Sequence, residues 1–432
     1  MGFKIKKGVL VKYIDDGTKE VIIPYGVKAI GENAFAYCQN ITSVEIPDTV
    51  REIEFMAFYK CKSLKSVNIN YGVVTIGSSS FSDCESLESI KIPDSVKKIK
   101  MMAFYRCENL KSVNIPDGIT EIHNATFAYC ENLHSIVIPD SVTRITINAF
   151  EHCKNLVSVN IPDGIEKIEE YSFYRCQSLK SIKIPESVKS IERCAFAYCE
   201  NLRSIVIPDS VTRIAMGTFE HCKNLVSVNI PDGIEKIEEF TFYRCQSLKS
   251  IKIPESVKSI ERCAFSYCEN LKDITAFADI NFDEKSFEDC IFEKITVRDN
   301  LSSITVYSKN LYEPYRFMNA NPNEKERLLK NSTDGDEIAI VFALYLVFAL
   351  DNTNAHLYIK KNIVDVVKYL TDVEDTENLT KILSRGYVTS ENINKMIKYA
   401  IDSRKSEIQL ILSNYKNEHL GFADNFDNMM LD

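Results

Sequence analysis

Hydrophobic residues along the first two thirds of the chain recur at a fixed interval of 23 residues. One isoleucine, one phenylalanine and one cysteine belong to each interval, from about residue 30 to residue 268. The cysteines of the series stand at 38, 61, 84, 107, 130, 153, 176, 199, 222, 245 and 268. A period of this length predicts a solenoid, in which each repeat covers the apolar face of its neighbour.

The pattern inside one repeat predicts two short extended segments and a return segment. In residues 66–69, Val67 and Ile69 alternate with polar residues, as in a half-buried strand, and stacked repeats would align such strands into a parallel sheet. In most repeats a proline then ends the strand, because it has no N–H to donate, and Asp-Gly or Asp-Ser provides a turn. A second extended segment follows, and a pair such as Ala103-Phe104 fills the interior on the return side.

The repeat unit can be written out from its proline, as in Pro93 to Ile115. It is Pro-x-x-Val-x-x-Ile-x-x-x-Ala-Phe-x-x-Cys-x-Asn-Leu-x-Ser-Val-x-Ile, with small departures. The unit resembles the BspA-like leucine-rich repeat family, and the resemblance extends over eleven units from about Ile22 to Thr275. It implies a curved solenoid that binds proteins or host surfaces and has no catalytic residues. We therefore expect a mainly β, right-handed solenoid of about eleven to twelve coils.

Both ends of the repeat region depart from the pattern, as the caps of a solenoid do. Residues 3–23 predict two short strands around Asp15-Asp16-Gly17, a hairpin that closes the first coil. Near the other end, 295–297 and 304–306 predict final strands. The expected domains are an N-terminal β-hairpin cap at 1–23, the solenoid at 24–275, a capping repeat at 276–310 and a smaller all-α domain at 311–432.

Helical spacing replaces the 23-residue period after Pro314. The predicted helices are Ile338–Leu350, Ile359–Leu370, Thr376–Leu383, Glu391–Ile401 and Glu407–Leu412. The first is too short to span a bilayer, and membrane insertion is not expected. Short connections predict antiparallel helix pairs. The region is weakly similar to ankyrin-like helical pairs, but it lacks the Thr-Pro-Leu-His signature, and no family is assigned to it.

Charge and the N-terminus limit the classes of function. The chain has 52 Lys and Arg against 61 Asp and Glu, a net charge of -9, and both parts are acidic when it is divided at Asn310. Neither part has the basic excess that nucleic-acid binding requires. The first residues lack the apolar segment of a secretory signal, which predicts a cytoplasmic protein. The family resemblance keeps the cell surface as the alternative.

The cysteine series has two interpretations, a redox or metal-binding row and a row of small apolar side chains packed inside the coils. An odd number of equivalent positions cannot pair completely, and parallel side chains are poorly oriented for disulfides, which favours packing. A zinc site shared by His152 and His221 is also disfavoured, because three coils, roughly 14 Å, separate the two histidines and zinc needs its ligands around one ion. No metal, cofactor or catalytic residue is predicted.

Candidate binding positions are the outward-facing ones on the predicted strands, because packing does not restrict them. They form two mildly basic rows with exposed valines, a surface suited to an acidic or mixed protein partner. An ordinary solvated sheet face is the alternative. The candidates are Lys65, Asn68, Lys91, Lys111, Asn114, His134, Val137, Asn160, Lys180, Lys183, Arg203, Val206, Asn229, Lys249 and Lys252.

A recent duplication also favours a binding surface over an active site. Residues 150–202 recur as 219–271, offset by 69 residues or three coils, with three differences. Copying lengthens an extended surface but would not preserve a precisely shaped active site. The leading hypothesis is a non-enzymatic protein-interaction scaffold that binds its partner along a concave sheet. Two alternatives remain: a BspA-like surface adhesin, and a targeting module fused to a helical domain with catalytic or small-ligand activity.

Overall fold

The structure, a computed structural model, describes residues 2–298, 303–306, 316–318, 320–331 and 336–420. The chain divides into two compact units. The first comprises Met1–Ile274 and Ile280–Ile291, and the second comprises Thr275–Asp279 and Phe292–Asp432. The repeats form a β-solenoid of about 13 turns of about 23 residues, which agrees with the predicted architecture.

The first row of strands carries the predicted alternation of buried and exposed residues. Its register follows the 23-residue step, so that Ser43 lies opposite Ser66, and Ser66 opposite Ser89. The strands are Glu20–Ile22, Ser43–Ile46, Ser66–Ile69, Ser89–Lys91, Ser112–Val113, Ser135–Ile136, Ser158–Val159, Ser204–Ile205, Ser227–Val228, Ser250–Lys252 and Asp273–Phe277.

The second row of strands begins after the proline turn. In that turn the N–H of Val96 donates to the carbonyl of Pro93, at 3.0 Å, and the same bond recurs in the other proline-containing coils. The strands of this row are Ala29–Ile30, Glu52–Ile53, Thr75–Ile76, Lys98–Ile99, Glu121–Ile122, Arg144–Ile145, Lys167–Ile168, Ser190–Ile191, Arg213–Ile214, Lys236–Ile237, Ser259–Ile260 and Asn281–Phe282.

The return segment places the phenylalanine series in the core, as predicted. The rings from Phe35 to Phe265 are fully buried, and neighbouring rings stack with centroids 4.7–5.8 Å apart. Two residues per coil, such as Met102 and Arg106, have a positive φ. With this backbone conformation, the N–H of Phe104 donates to the carbonyl of Thr126 in the next coil. The N–H groups of the two residues beside Phe104 close tight turns within their own coil.

The N-terminal hairpin consists of Gly2–Lys6 and Val9–Ile14, which pair antiparallel. Its turn lies at Lys7-Gly8, so the predicted turn at Asp15-Asp16-Gly17 is wrong. Lys7 and Gly8 both have a positive φ, of 48° and 80°, which a tight two-residue hairpin turn requires and glycine adopts without strain. The Asp-Gly sequence instead forms a separate turn after the second strand, where the N–H of Gly17 donates to the Asp15 carboxylate.

The second unit is helical, with an antiparallel strand pair, Lys294–Arg298 and Ser303–Val306, at the two predicted sites. Its helices are α1 (Pro322–Asn331), α2 (Glu337–Leu350), α3 (Thr353–Lys361), α4 (Ile363–Asp372), α5 (Thr376–Ser384), α6 (Ser390–Asp402) and α7 (Ser406–Tyr415), followed by a π-helical segment, Lys416–Leu420. Over the described ranges, no helix combines the length and apolar character that crossing a membrane needs.

Two helices differ from the prediction. Helix α1 was not predicted, because its mostly polar sequence has little apolar periodicity. The predicted helix 359–370 is two helices, α3 and α4, which meet at Asn362. There the backbone leaves helical geometry, with φ -106° and ψ 21°, and the Asn362 side chain donates to the carbonyl of Tyr358. The backbone N–H of Asn362 donates to the same carbonyl, at 3.0 Å, so that Asn362 caps the C-terminus of α3.

Candidate functional site

The fifteen predicted binding residues lie on the outward side of the first strand row and are all exposed. We call this side the strand face. It has an upstream row, directly before the serine of each strand, and a downstream row, two residues after that serine. The upstream row is Thr42, Lys65, Glu88, Lys111, His134, Val157, Lys180, Arg203, Val226, Lys249 and Lys272. The downstream row is Glu45, Asn68, Lys91, Asn114, Val137, Asn160, Lys183, Val206, Asn229 and Lys252.

Backbone hydrogen bonds keep the strand face in register from coil to coil. Each residue of the upstream row donates its N–H to the carbonyl of the equivalent residue one coil earlier, at 2.7–3.3 Å. The ladder runs without interruption from Lys65 to Lys272. The side chains of one row are therefore spaced by the distance between neighbouring strands, about 4.8 Å.

Three asparagines of the downstream row hold neighbouring coils together. The side-chain amide of Asn114 accepts from the N–H of Ile92, at 3.0 Å, and donates to its carbonyl, at 2.7 Å. Asn160 and Asn229 make the same pair of bonds to the preceding coil, at Ile138 and Ile207. The side-chain amides take the place of the backbone hydrogen bonds that a longer strand would make. The role that the structure shows for these asparagines is therefore structural, and the sequence did not predict it.

The second half of the strand face carries cations without opposing carboxylates. Neither row contains an acidic residue after Glu88. Lys111 pairs with Glu88 at 2.8 Å, and this contact lowers the pKa of the Glu88 carboxyl. By contrast, five of the six cations that follow Lys111 in the two rows have no ion-pair partner among the described residues. They are Lys180, Lys183, Arg203, Lys249 and Lys252.

Most cations of the second strand row form ion pairs with carboxylates. Arg213 lies 2.8 Å from Glu192 and 3.4 Å from Glu238, and Lys167 lies 3.1 Å from Glu169. Each carboxylate comes from the same or a neighbouring coil, and ion pairs link Glu121 to Glu238 through Arg144, Lys167 and Arg213. Lys98 of the same row has no ion-pair partner among the described residues. The two rows of the strand face differ because they contain no carboxylate after Glu88.

Exposed valines accompany the unpaired cations. Val206, 74% exposed, and Val226, 39% exposed, lie between the cations, and Val137, 74% exposed, lies before Lys180. At the N-terminal end, the same face forms a depression of about 450 Å³ across four coils, whose lining includes Glu45, Asn68 and Lys91. The strand face thus offers apolar contacts, unpaired positive charge and a concave region.

The cysteine series is part of the core. All eleven side chains are buried, and each thiol from Cys61 to Cys268 donates to the carbonyl of a phenylalanine in the preceding coil, at 3.1–3.3 Å. Burial raises the pKa of these thiols, to about 11 at Cys38. A neutral, hydrogen-bonded thiol is a packing group with little nucleophilic reactivity. Across the described ranges, no three His, Cys, Asp or Glu side chains converge as metal ligands.

The sequence analysis missed an aromatic row on the return side. His152 stacks on Tyr129, with ring centroids 4.4 Å apart, and lies 5.8 Å from Tyr174. His221 repeats these contacts with Tyr198 and Tyr243. Burial lowers the pKa of both histidines. The signal lay in the two variable positions between each Phe and Cys, where Tyr, His and Arg recur at the three-coil step.

The helical unit contains a smaller cavity of about 220 Å³. Its lining includes Tyr345, Tyr369, Asp375 and Lys381, and the Tyr369 hydroxyl donates to the carbonyl of Thr305 at 3.2 Å. Lys381 is already paired with Glu377 at 2.7 Å. The lining is mostly polar and its lysine is already paired, so the cavity offers no unpaired lysine to a ligand.

Family comparison agrees with this geometry. A model described as the BspA type leucine rich repeat region matches residues 13–134, 120–214 and 189–310, more than half of the chain. The chain belongs to this family. Its BspA-type repeats correspond to the solenoid, and the helical region after them lies outside the match.

Solved structures of bacterial leucine-rich repeat proteins resemble the BspA-type region. A leucine rich cell surface protein from Faecalibacterium prausnitzii is 31% identical, with a TM-score of 0.50, over 69% of this chain and 93% of that one. A leucine-rich repeat protein from Bacteroides ovatus is 27% identical, with a TM-score of 0.52, over 67% and 91%. A comparison with curated proteins finds no match.

Proposed function

We propose that this protein is a non-enzymatic scaffold that binds a partner protein along the strand face. The observation that carries the proposal is the contrast between two sets of cations in one solenoid. Four of the five cations of the second strand row, all except Lys98, are paired with carboxylates, whereas the five from Lys180 to Lys252 are unpaired and lie beside exposed valines. Exposed apolar groups beside unpaired charge are features of a surface that a partner covers.

Charge reversal on the strand face tests this proposal. Lys180→Glu combined with Lys249→Glu should strongly reduce the amount of partner that the full chain captures from an extract of its native cells, measured by quantitative mass spectrometry. Lys97→Glu combined with Lys189→Glu is the matched control, because both are exposed turn lysines away from the strand face and the net charge changes equally. Equal capture by all three proteins, with intact folding, would exclude the strand face.

A surface adhesin is the second candidate function. The relative from Faecalibacterium prausnitzii is described as a cell surface protein, and it matches the solenoid over 93% of its own length. On this hypothesis the strand face binds a component outside the cell. Brief protease treatment of intact native cells should then degrade the protein, while a cytosolic marker stays intact. Full protection of the protein until the cells are lysed would contradict surface exposure.

A further inference from the structure

The strand face repeats its chemistry at an interval of three coils. Lys180 and Lys183 recur as Lys249 and Lys252, and the equivalent of Lys180 one interval earlier is Lys111. The valines follow the same interval, since Val137 recurs as Val206 and Val157 as Val226; Val157 is half-buried and the other three are exposed. Each cationic cluster is thus followed by two coils with valines, which we call the apolar cluster, and then by the next cationic cluster. His134 or Arg203 lies beside the first valine of each apolar cluster.

Strand spacing converts this interval into a distance. Hydrogen-bonded strands lie about 4.8 Å apart, so that three coils separate equivalent cations by about 14 Å. Val206 lies one coil beyond Lys183, and Val226 lies one coil before Lys249. The apolar cluster therefore occupies the middle of each interval, about 5–9 Å from the cations on either side.

An extended peptide matches this spacing and an α-helix does not. Four residues of an extended chain span about 13 Å, which brings every fourth residue to the next cationic cluster and the residue midway between them to the valines. Side chains on one face of a helix recur after seven or eleven residues, at about 10 or 16 Å, and both distances miss the interval. Because the two rows contain no carboxylate after Glu88, charge complementarity favours an acidic ligand.

We propose that the strand face binds an extended acidic segment of a partner protein, with a carboxylate at every fourth residue and an apolar residue midway between carboxylates. The proposal rests on the proposed function and specifies the partner class. The clusters at Lys180 and Lys249 accept two successive carboxylates, and Lys111 accepts a third in place of its present partner Glu88. Exposed ion pairs are individually weak, so binding depends on engaging the clusters together through one chain.

Synthetic peptides test the spacing directly with the full chain. The probe is an acetylated, amidated peptide of three Glu-Ser-Val-Ser units with a fluorescent label, and binding is measured by fluorescence anisotropy at low salt. A control peptide has the same composition with its three glutamates consecutive. A second control carries three glutamates at seven-residue spacing in an alanine-rich helix. We expect the spaced peptide to bind at least about ten-fold more tightly than either control.

Variants locate the site. Lys180→Glu with Lys249→Glu should weaken binding of the spaced peptide about ten-fold or more, and Val206→Ser should weaken it several-fold. Lys97→Glu with Lys189→Glu should leave it unchanged. Circular dichroism and the melting temperature show that each variant is folded. The side chains at positions 97, 180, 189 and 249 are all exposed, so misfolding is a poor explanation for lost binding.

Two outcomes overturn the proposal. Equal affinity for the spaced and consecutive peptides would show that only total charge is recognised, and tighter binding of the helical peptide would identify a helical partner. Neither outcome affects the capture experiment with native extract. Failure of the spacing model is therefore distinguishable from failure of strand-face binding.

Discussion

At the scale of single residues, equivalent positions of the solenoid have different roles because their neighbours differ. Asn68 and Asn160 both lie in the downstream row. The Asn68 side chain makes one long contact, 3.5 Å, to the side chain of Asn70. Asn160 bridges both backbone groups of Ile138. An outward asparagine can therefore be a ligand contact in one coil and a structural clamp in another.

This difference predicts unequal effects of the same substitution. Asn160→Ala leaves the N–H and carbonyl of Ile138 without their partners and should lower the free energy of unfolding by about 1–3 kcal/mol. Asn68→Ala is the matched control and should change it by less than about 0.5 kcal/mol. Urea unfolding followed by circular dichroism measures both. Equal destabilisation would show that the clamp contributes nothing specific.

The half-buried glutamates of the aromatic row, Glu151 and Glu220, predict a pH dependence. Burial raises the pKa of Glu151 and Glu220, so the native state binds their protons more tightly than the unfolded chain does. These carboxylates therefore reduce stability above the raised pKa, and the penalty disappears as the pH falls through it towards 4.5. Glu151→Gln with Glu220→Gln should raise the urea midpoint at pH 8 and change it little at pH 4.

The control for this experiment is Glu170→Gln with Glu239→Gln, a pair that is also 69 residues apart but exposed. These variants should have similar urea midpoints to the unmodified protein at both pH values. A stabilisation by the half-buried pair that is as large at pH 4 as at pH 8 would argue against ionisation as its cause.

At the scale of elements, each coil is stabilised mainly by the core side chains that pack against the two neighbouring coils. Phe196 stacks between Phe173 and Phe219 at 5.4 and 5.8 Å and is fully buried. In the same coil, Val206 is 74% exposed on the strand face. The short strands themselves, often two residues long, contribute few ladder bonds, so the core row and the return-segment bonds hold the coils together.

The core row predicts a large cost for opening a cavity inside a coil. Phe196→Ala removes a ring that two neighbouring coils contact and should lower the free energy of unfolding by about 3–5 kcal/mol. Val206→Ala, in the same coil, should change it by about 0.5 kcal/mol or less. Thermal and urea unfolding provide the measurement. A small effect of Phe196→Ala would mean that the coil collapses around the lost ring.

At the scale of the whole molecule, the solenoid behaves as a series of equivalent units with nearest-neighbour contacts. Stability in such an array is approximately a sum over repeats and their interfaces. Residues 150–202 and 219–271 are near copies, and a junction between Phe150 and Glu220 restores the original Phe-Glu sequence. Removal of three coils therefore preserves every kind of coil-to-coil contact.

Deletion of residues 151–219 should yield a folded, shorter solenoid with a lower melting temperature. Its strand face loses the cluster around Lys180 and should bind the spaced acidic peptide several-fold more weakly, because fewer clusters act together. Deletion of residues 151–210, which is not a multiple of the repeat, should abolish folding by breaking the register. Circular dichroism and thermal unfolding distinguish the two. Comparable folding of both would contradict a strict register.

The 23-residue sequence pattern alone was enough to determine the solenoid, its core and its two strand rows. The reason is physical: each repeat packs against a near copy of itself, so a residue such as Phe104 or Cys107 meets its own equivalent one coil away. Interior positions can therefore be identified in the sequence, because the same residue type recurs there in each repeat. The same reasoning placed all fifteen candidate residues on one exposed face, and four helices of the second unit, α2, α5, α6 and α7, follow from ordinary helical periodicity.

Only the tertiary structure decided which outward residues are committed to contacts within the solenoid. Arg203 and Arg213 are both exposed arginines, but carboxylates of neighbouring coils pair with Arg213 alone. Asn160 is committed to the preceding coil, and the hairpin turn lies at Lys7-Gly8. Each of these outcomes depends on a partner that lies far away in sequence or on a backbone conformation that residue type does not specify.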